Sequence, residues 1–159
     1  MLLFVEQVLN GLQYGAMLFM LASGLTLIFG IMGVINLTHG AFYMVGAYCA
    51  AFAILETGSF LVGMAAAILG AGLYAVAVEL AVIQWLYRRD HLYQVLATLG
   101  LILFTNEAVA MIFGRQPPFV DIPPALSGTL RVLPGLDYPV MRLAFIAVGA
   151  AVAVGLWFL

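Results

Sequence analysis

Few side chains in this sequence could do chemistry, and those that could lie in apolar surroundings. The segment Asn36-Leu37-Thr38-His39-Gly40-Ala41-Phe42-Tyr43 crowds an amide, a hydroxyl, an imidazole and a phenol into eight residues. Glu79 and Glu107 stand in stretches otherwise free of charge. A carboxylate at membrane depth costs about 3 kcal/mol unless paired or hydrated, so each is either a hydrogen-bonding strut between helices or part of a transport path. For His39 a metal site lacks neighbouring ligands. No serine, histidine and aspartate stand at workable spacing, so no catalytic set and no cofactor are expected. The lone cysteine, Cys49, excludes an internal disulfide and a cysteine-rich metal cluster. The chain has no lysine, so the Gly-rich phosphate loop ending in Lys-Ser/Thr cannot form. If transport is ATP-driven, the ATPase is a separate chain.

The elements that must hold these residues follow from composition. Of 159 residues, 66% are hydrophobic and only 8% charged. A soluble domain carries about a quarter charged residues to face water. The solvent of this chain is lipid. Its basic residues are five arginines, scattered apart from Arg88–Arg89, and the net charge is −2. Nucleic acid, which needs clustered phosphate contacts, is excluded as a partner.

From Gln7 to Leu55 there is no charged residue, a run of 49. At about 20 residues per crossing this is room for two helices. The break between them falls at residues 30–40, where Gly30, Gly33 and Gly40 accompany most of the polar side chains in the run. The spacing predicts an all-α, polytopic bundle in one membrane domain, with spans at about 8–30, 39–55, 60–87, 92–113 and 140–159. Residues 114–139 gather the prolines, three glycines and the charges Arg115, Asp121, Arg131 and Asp137. Missing N–H groups rule out a long helix there, so an aqueous loop is expected. No basic residue precedes the first apolar stretch, so the N-terminus reads as a retained helix rather than a cleaved signal. The fifth span is still running at Leu159, and the chain is expected to be incomplete at its C-terminus.

Arg88–Arg89 lie in the shortest loop, which places that loop in the cytoplasm. Alternation then puts the 31–38 connection inside, and the N-terminus, Glu56–Ser59 and the 114–139 loop outside.

Small residues recur at helical spacing. Gly63, Ala67, Ala71 and Ala75 lie four apart with Glu79 next in register, which makes a narrow strip for close helix approach. Gly11 and Gly15 repeat the pattern in the first span, and Ala147, Ala151 and Gly155 in the fifth. Irregular backbone at membrane depth survives only where it is buried in protein or lines a wet cavity. Asn36, Thr38, His39, Gly40 and Tyr43 therefore read either as the lining of a solute pathway or gate, or as a plain helix connection.

Residues 24–48, GLTLIFGIMGVINLTHGAFYMVGAY, resemble the signature stretch of bacterial branched-chain amino acid ABC permeases of the LivH/LivM type. Residues 89–107, RDHLYQVLATLGLILFTNE, and 133–139, LPGLDYP, resemble the same family. Members run to nearly twice this length, and the half not represented here carries the loop that engages the ATPase. The resemblance implies a multi-pass subunit of the bacterial plasma (inner) membrane. Its implied partners are a second permease subunit, ATP-binding cassette subunits and a periplasmic solute-binding protein. Relatives import leucine, isoleucine and valine, or urea, short amides and aromatic acids. Two other readings come from the residues alone. One is an ion-coupled secondary transporter with Glu79 and Glu107 as proton sites. The other is a membrane scaffold with no transport role.

Overall fold

A computed structural model describes residues 1–33, 36–116, 118–123 and 126–158. Val34 and Ile35 of the expected break, Pro117, Pro124 and Ala125 of the loop, and Leu159 at the end of the fifth span lie outside the described residues. The protein is all-α and polytopic, with five helices among the described residues long and apolar enough to cross a membrane. They are α1 (Leu2–Met32), α2 (His39–Thr57), α3 (Phe60–Leu86), α4 (His91–Phe113) and α5 (Val140–Trp157).

Helix α1 starts six residues before the expected boundary, because a single Glu6 near a helix end can remain at the lipid interface. It stops at Gly33, whose φ of 64° carries the chain out of the helix while its N–H bonds to the Phe29 carbonyl at 2.9 Å. Helix α3 is interrupted. It is α-helical over Phe60–Val78, π-helical over Glu79–Ile83, and α-helical again over Gln84–Leu86. A π-turn inserts one extra residue per turn and re-aims the side chains that follow it.

The expected loop is not structureless. Strands β1 (Thr129–Leu133) and β2 (Leu136–Pro139) form an antiparallel hairpin, with Leu130 opposite Tyr138, Arg131 opposite Asp137 and a bulge between Arg131 and Leu133. Pro134-Gly135 makes the turn, and Gly135 takes a φ of 90° that a side chain would resist.

Contacts divide the chain into two compact units. One unit joins Met1–Gly24 to Asp121–Leu159. Here Gly149 of α5 is buried against Ala16 of α1, so close that an added Cβ would sit 2.7 Å from the Ala16 Cβ. Asn10 Oδ1 accepts from the Tyr138 hydroxyl at 3.0 Å and from Arg142 Nη1 at 2.7 Å, and Tyr138 is 1% exposed. The strips expected to seal these helices do not. Gly11 and Gly15 meet nothing within 4 Å, and Ala147, Ala151 and Gly155 are exposed. Spacing defines a face but not which face is covered.

The second unit is Leu25–Val120. Its tightest seam is α2 on α3, and there the expected strip is used. Gly63 lies under Ile54 and the Ala50 carbonyl, while Gly46 faces Ala67 and Ala71 from the α2 side. Gly70 packs against Cys49. Small residues on both helices let the backbones approach, which replaces the hydrophobic drive that lipid does not supply.

Between α3 and α4 the turn Arg88-Arg89-Asp90 is held by Gln94, 3% exposed, whose amide donates to the Leu86 and Arg89 carbonyls at 3.2 and 3.1 Å. With the basic pair fixed in so short a turn, Asp90→Cys in a Cys49→Ala background is expected to react with an impermeant maleimide only after the cytoplasmic side is opened. Labelling of intact cells from the periplasm would invert the topology.

Candidate functional site

Two of the polar residues between α1 and α2 are buried. Asn36 is 5% exposed and Thr38 0%. Asn36 Oδ1 accepts from the Thr38 N–H at 2.9 Å, closing a local turn. The Thr38 carbonyl then starts α2, accepting from Ala41 N–H at 2.8 Å and Phe42 N–H at 3.1 Å. Thr38 stands at the N-cap of α2, yet its hydroxyl makes no cap bond. Among the described residues, Thr38 Oγ1 and His39 Nδ1 are both buried without a hydrogen-bond partner. Such groups are uncommon, and each costs about 1–3 kcal/mol if left unsatisfied. Leu37, between Asn36 and Thr38 in sequence, joins Leu25, Thr26 and Phe29 in lining a cavity of about 300 Å³.

Asn36, Thr38, His39 and Gly40 are thus together at the foot of α2, and Tyr43 is not with them. Tyr43 is 59% exposed, and Gly40 is exposed as well. One helical turn above His39 the phenol occupies the face of α2 that neither α3 nor α4 covers, where Ala47 is also exposed.

Sequence reasoning missed a line of hydroxyls between α3 and α4. The Tyr74 and Thr105 hydroxyls share a hydrogen bond, and Thr105 also donates to the Leu101 carbonyl at 2.6 Å. Thr105 is 2% exposed. Phe42 meets the Tyr74 ring edge-on at 5.9 Å, so α2, α3 and α4 converge on this bond. Thr98, fully buried, donates to the Gln94 carbonyl at 2.8 Å. The spacing of Gln94, Thr98 and Thr105, four and seven residues apart, is a helical face that could have been read from the sequence.

The two carboxylates part company. Glu79 begins the π-helical segment and accepts from the Tyr87 hydroxyl. Burial, and then the hydrogen bond and charge of Glu79, push the Tyr87 phenol up to about 12, so it stays a donor at any physiological pH. Glu107 faces Arg115 at 3.8 Å, just beyond the end of α4. Tyr74 and Thr105 mark a common level on α3 and α4. From that level Glu79 lies five residues toward the Arg88–Arg89 turn and Glu107 two residues away from it, about 10 Å apart along the helix axes. The two carboxylates are thus too far apart for a direct hydrogen bond.

The family described as "Branched-chain amino acid transport system / permease component" matches residues 7–159. The LivH permease protein of the high-affinity branched-chain amino acid transport system of Escherichia coli K12 is 29% identical, covering 80% of this chain and 44% of the relative. BraD, the corresponding permease protein of Pseudomonas aeruginosa, is 28% identical over 68% of this chain and 38% of its own length. Salmonella typhimurium LivH is 28% identical, with 80% and 44% covered. The chain therefore spans less than half the length of these curated relatives. No solved structure matches.

Proposed function

The chain belongs to the branched-chain amino acid transport permease family, and from that premise we propose that it is the membrane-embedded subunit of an ATP-driven ABC importer. Its solutes are branched-chain amino acids or related small polar molecules such as urea and short amides. The observation that carries this reading is the family match from residue 7 to residue 159, over all five spans. It is a multi-pass membrane protein, and the bacterial inner membrane is its proposed location. A second permease subunit, two ATPase subunits and a periplasmic binding protein complete the assembly. With no lysine the chain lacks a phosphate loop, which supports placing ATP hydrolysis on separate chains.

The polar foot of α2 is the proposed gate. The two orphan polar atoms support this reading, because a second arrangement in which Thr38 Oγ1 and His39 Nδ1 acquire partners would recover their cost. Gly33 supplies the backbone freedom for that change. The divergence of Glu79 and Glu107 weighs against the ion-coupled reading.

Uptake into proteoliposomes by the full complex with its binding protein, screened over branched-chain amino acids, urea and short amides, tests the reading. His39→Ala and Asn36→Ala are expected to cut uptake at least about tenfold with assembly and ATPase docking intact; tenfold corresponds to about 1.4 kcal/mol, within the value of one buried hydrogen bond. Wild-type uptake from both variants would reduce the segment to a connector.

A further inference from the structure

Helix α3 changes its winding where it meets its neighbours. Val78, just before the π-helical stretch, and Ile83, at its end, are buried together, with Phe42 of α2, Tyr74 of α3 and Leu101 of α4 packed against them. In an unbroken α-helix, positions five apart point about 140° away from each other and could not share one core. The wide turn absorbs one residue, so Ile83 stands where the fourth residue after Val78 would stand. The same extra residue brings Tyr87 almost beneath Glu79. Eight α-helical steps would leave the two about 80° apart and seven leave them about 20° apart. The Tyr87 hydroxyl donates to the Glu79 carboxylate across that gap. A third contact also follows from the wide turn. The Gln84 N–H bonds to the Glu79 carbonyl, five residues back, where an α-helix would pair it with Leu80. The Leu80 carbonyl accepts instead from the Gln84 side-chain amide.

The sequence offers this stretch a second register. Val82 is the fourth residue after Val78, and Leu86 the seventh after Glu79. With the extra residue released into the helix, Val82 takes the place of Ile83 in the core, one β-branched apolar side chain for another. Leu86 takes the place of Tyr87. The exchange breaks the Glu79–Tyr87 and Gln84–Leu80 bonds and restores the regular backbone ladder. Two packings that bury similar side chains and trade similar hydrogen bonds are the condition for a bistable element. Conversion turns residues 84–87 by about 100° and moves them about 1.5 Å along the axis, one residue's step. The Arg88-Arg89-Asp90 turn follows, because the Gln94 amide of α4 holds the Leu86 and Arg89 carbonyls.

We propose that α3 is a two-register element, in which one residue passing into or out of the π-turn at Glu79–Ile83 carries a movement of the membrane core to the Arg88–Arg89 turn. The link to uptake rests on the import reading above, whereas the register change itself does not.

Pulsed electron–electron distance measurement on the assembled transporter in lipid nanodiscs tests it. Spin labels go on Trp85→Cys, 72% exposed in the rotating segment, and on Ala47→Cys, exposed on α2, with Cys49→Ala and no other cysteine in the chain. Two distances are expected, in proportions that differ between the nucleotide-free and vanadate-trapped complex. Tyr87→Phe releases the tie to Glu79 and is expected to raise the second population about fivefold, the shift that loss of one ordinary hydrogen bond gives. Deletion of Ala81 removes the extra residue and leaves Ile83, Gln84 and Tyr87 in their present places on an unbroken α-helix. That chain is expected to assemble, to show one distance in both states, and to lose at least about tenfold in ATP-driven uptake. One fixed distance in the wild type overturns the proposal, as do proportions that neither nucleotide nor Tyr87→Phe shifts. Wild-type uptake by the deleted chain overturns it too. If the deleted chain does not assemble, the wild-type and Tyr87→Phe distances decide. Import with one fixed distance removes the register change and leaves the importer standing, whereas two shifting distances with no solute imported do the reverse.

Discussion

Gly63→Leu is expected to separate α2 from α3 and to cost about 3 kcal/mol, the upper end for forcing extra carbons into a packed interface. An added Cβ at Gly63 would sit 2.3 Å from Ile54 Cγ1 and 3.1 Å from the Ala50 carbonyl oxygen. Ile54 can turn aside, but a backbone carbonyl moves only if its helix moves. Ala71→Leu acts on the same seam, because Ala71 faces Gly46. Gly72→Leu is the control, since nothing lies within 4 Å of that position and leucine there meets lipid. The monodisperse fraction of assembled complex after detergent extraction measures the effect. Equal yields from Gly63→Leu and wild type, with loss in Gly72→Leu, would show the covered face to be the wrong one.

Asn10→Leu is expected to destabilise the first unit by about 2–3 kcal/mol, because it strands a buried hydroxyl and an arginine at once. Asn10 Oδ1 is the acceptor for both Tyr138 and Arg142. Asn10→Asp keeps the acceptor and should retain stability. Tyr138→Phe removes the stranded donor, so the double variant Asn10→Leu with Tyr138→Phe should lose less than the two single losses added. Thermal unfolding of the complex in detergent reads the wild type and the four variants. Strict additivity would mean that the hydroxyl is satisfied elsewhere.

Much of this architecture is legible in one sequence because lipid imposes a simple rule. A crossing helix needs a long run without charge, and α2, α4 and the start of α5 fall within two residues of where composition puts them. The strip Gly63, Ala67, Ala71 was legible for the same reason, but its partner was not. Gly46 and Ala50 on α2 are small residues among many, and nothing in their spacing distinguishes a covered face from a lipid-facing one. That ambiguity misled in α1 and α5, where Ala16 and Gly149 make the contact and the more regular strips face outward. Asn10 and Tyr138 are 128 residues apart, and their bond leaves no local mark. The hairpin did leave one in Pro134-Gly135, outweighed by the density of proline around it. Of the candidate site, burial of Asn36 and Thr38 agrees with the crowding of polar types, whereas the exposure of Tyr43 depends on which side of α2 its neighbours cover.

The central proposal is that solute movement through this chain is driven by ATP hydrolysed on a partner. Initial uptake by the reconstituted complex, with ATP and no ion gradient in one set of vesicles and an imposed proton gradient and no ATP in the other, tests it most directly. The account predicts accumulation of a branched-chain amino acid or a related small solute with ATP alone, abolished by vanadate, and none with the gradient. Accumulation driven by the proton gradient without ATP, and lost in Glu79→Gln or Glu107→Gln, would contradict it.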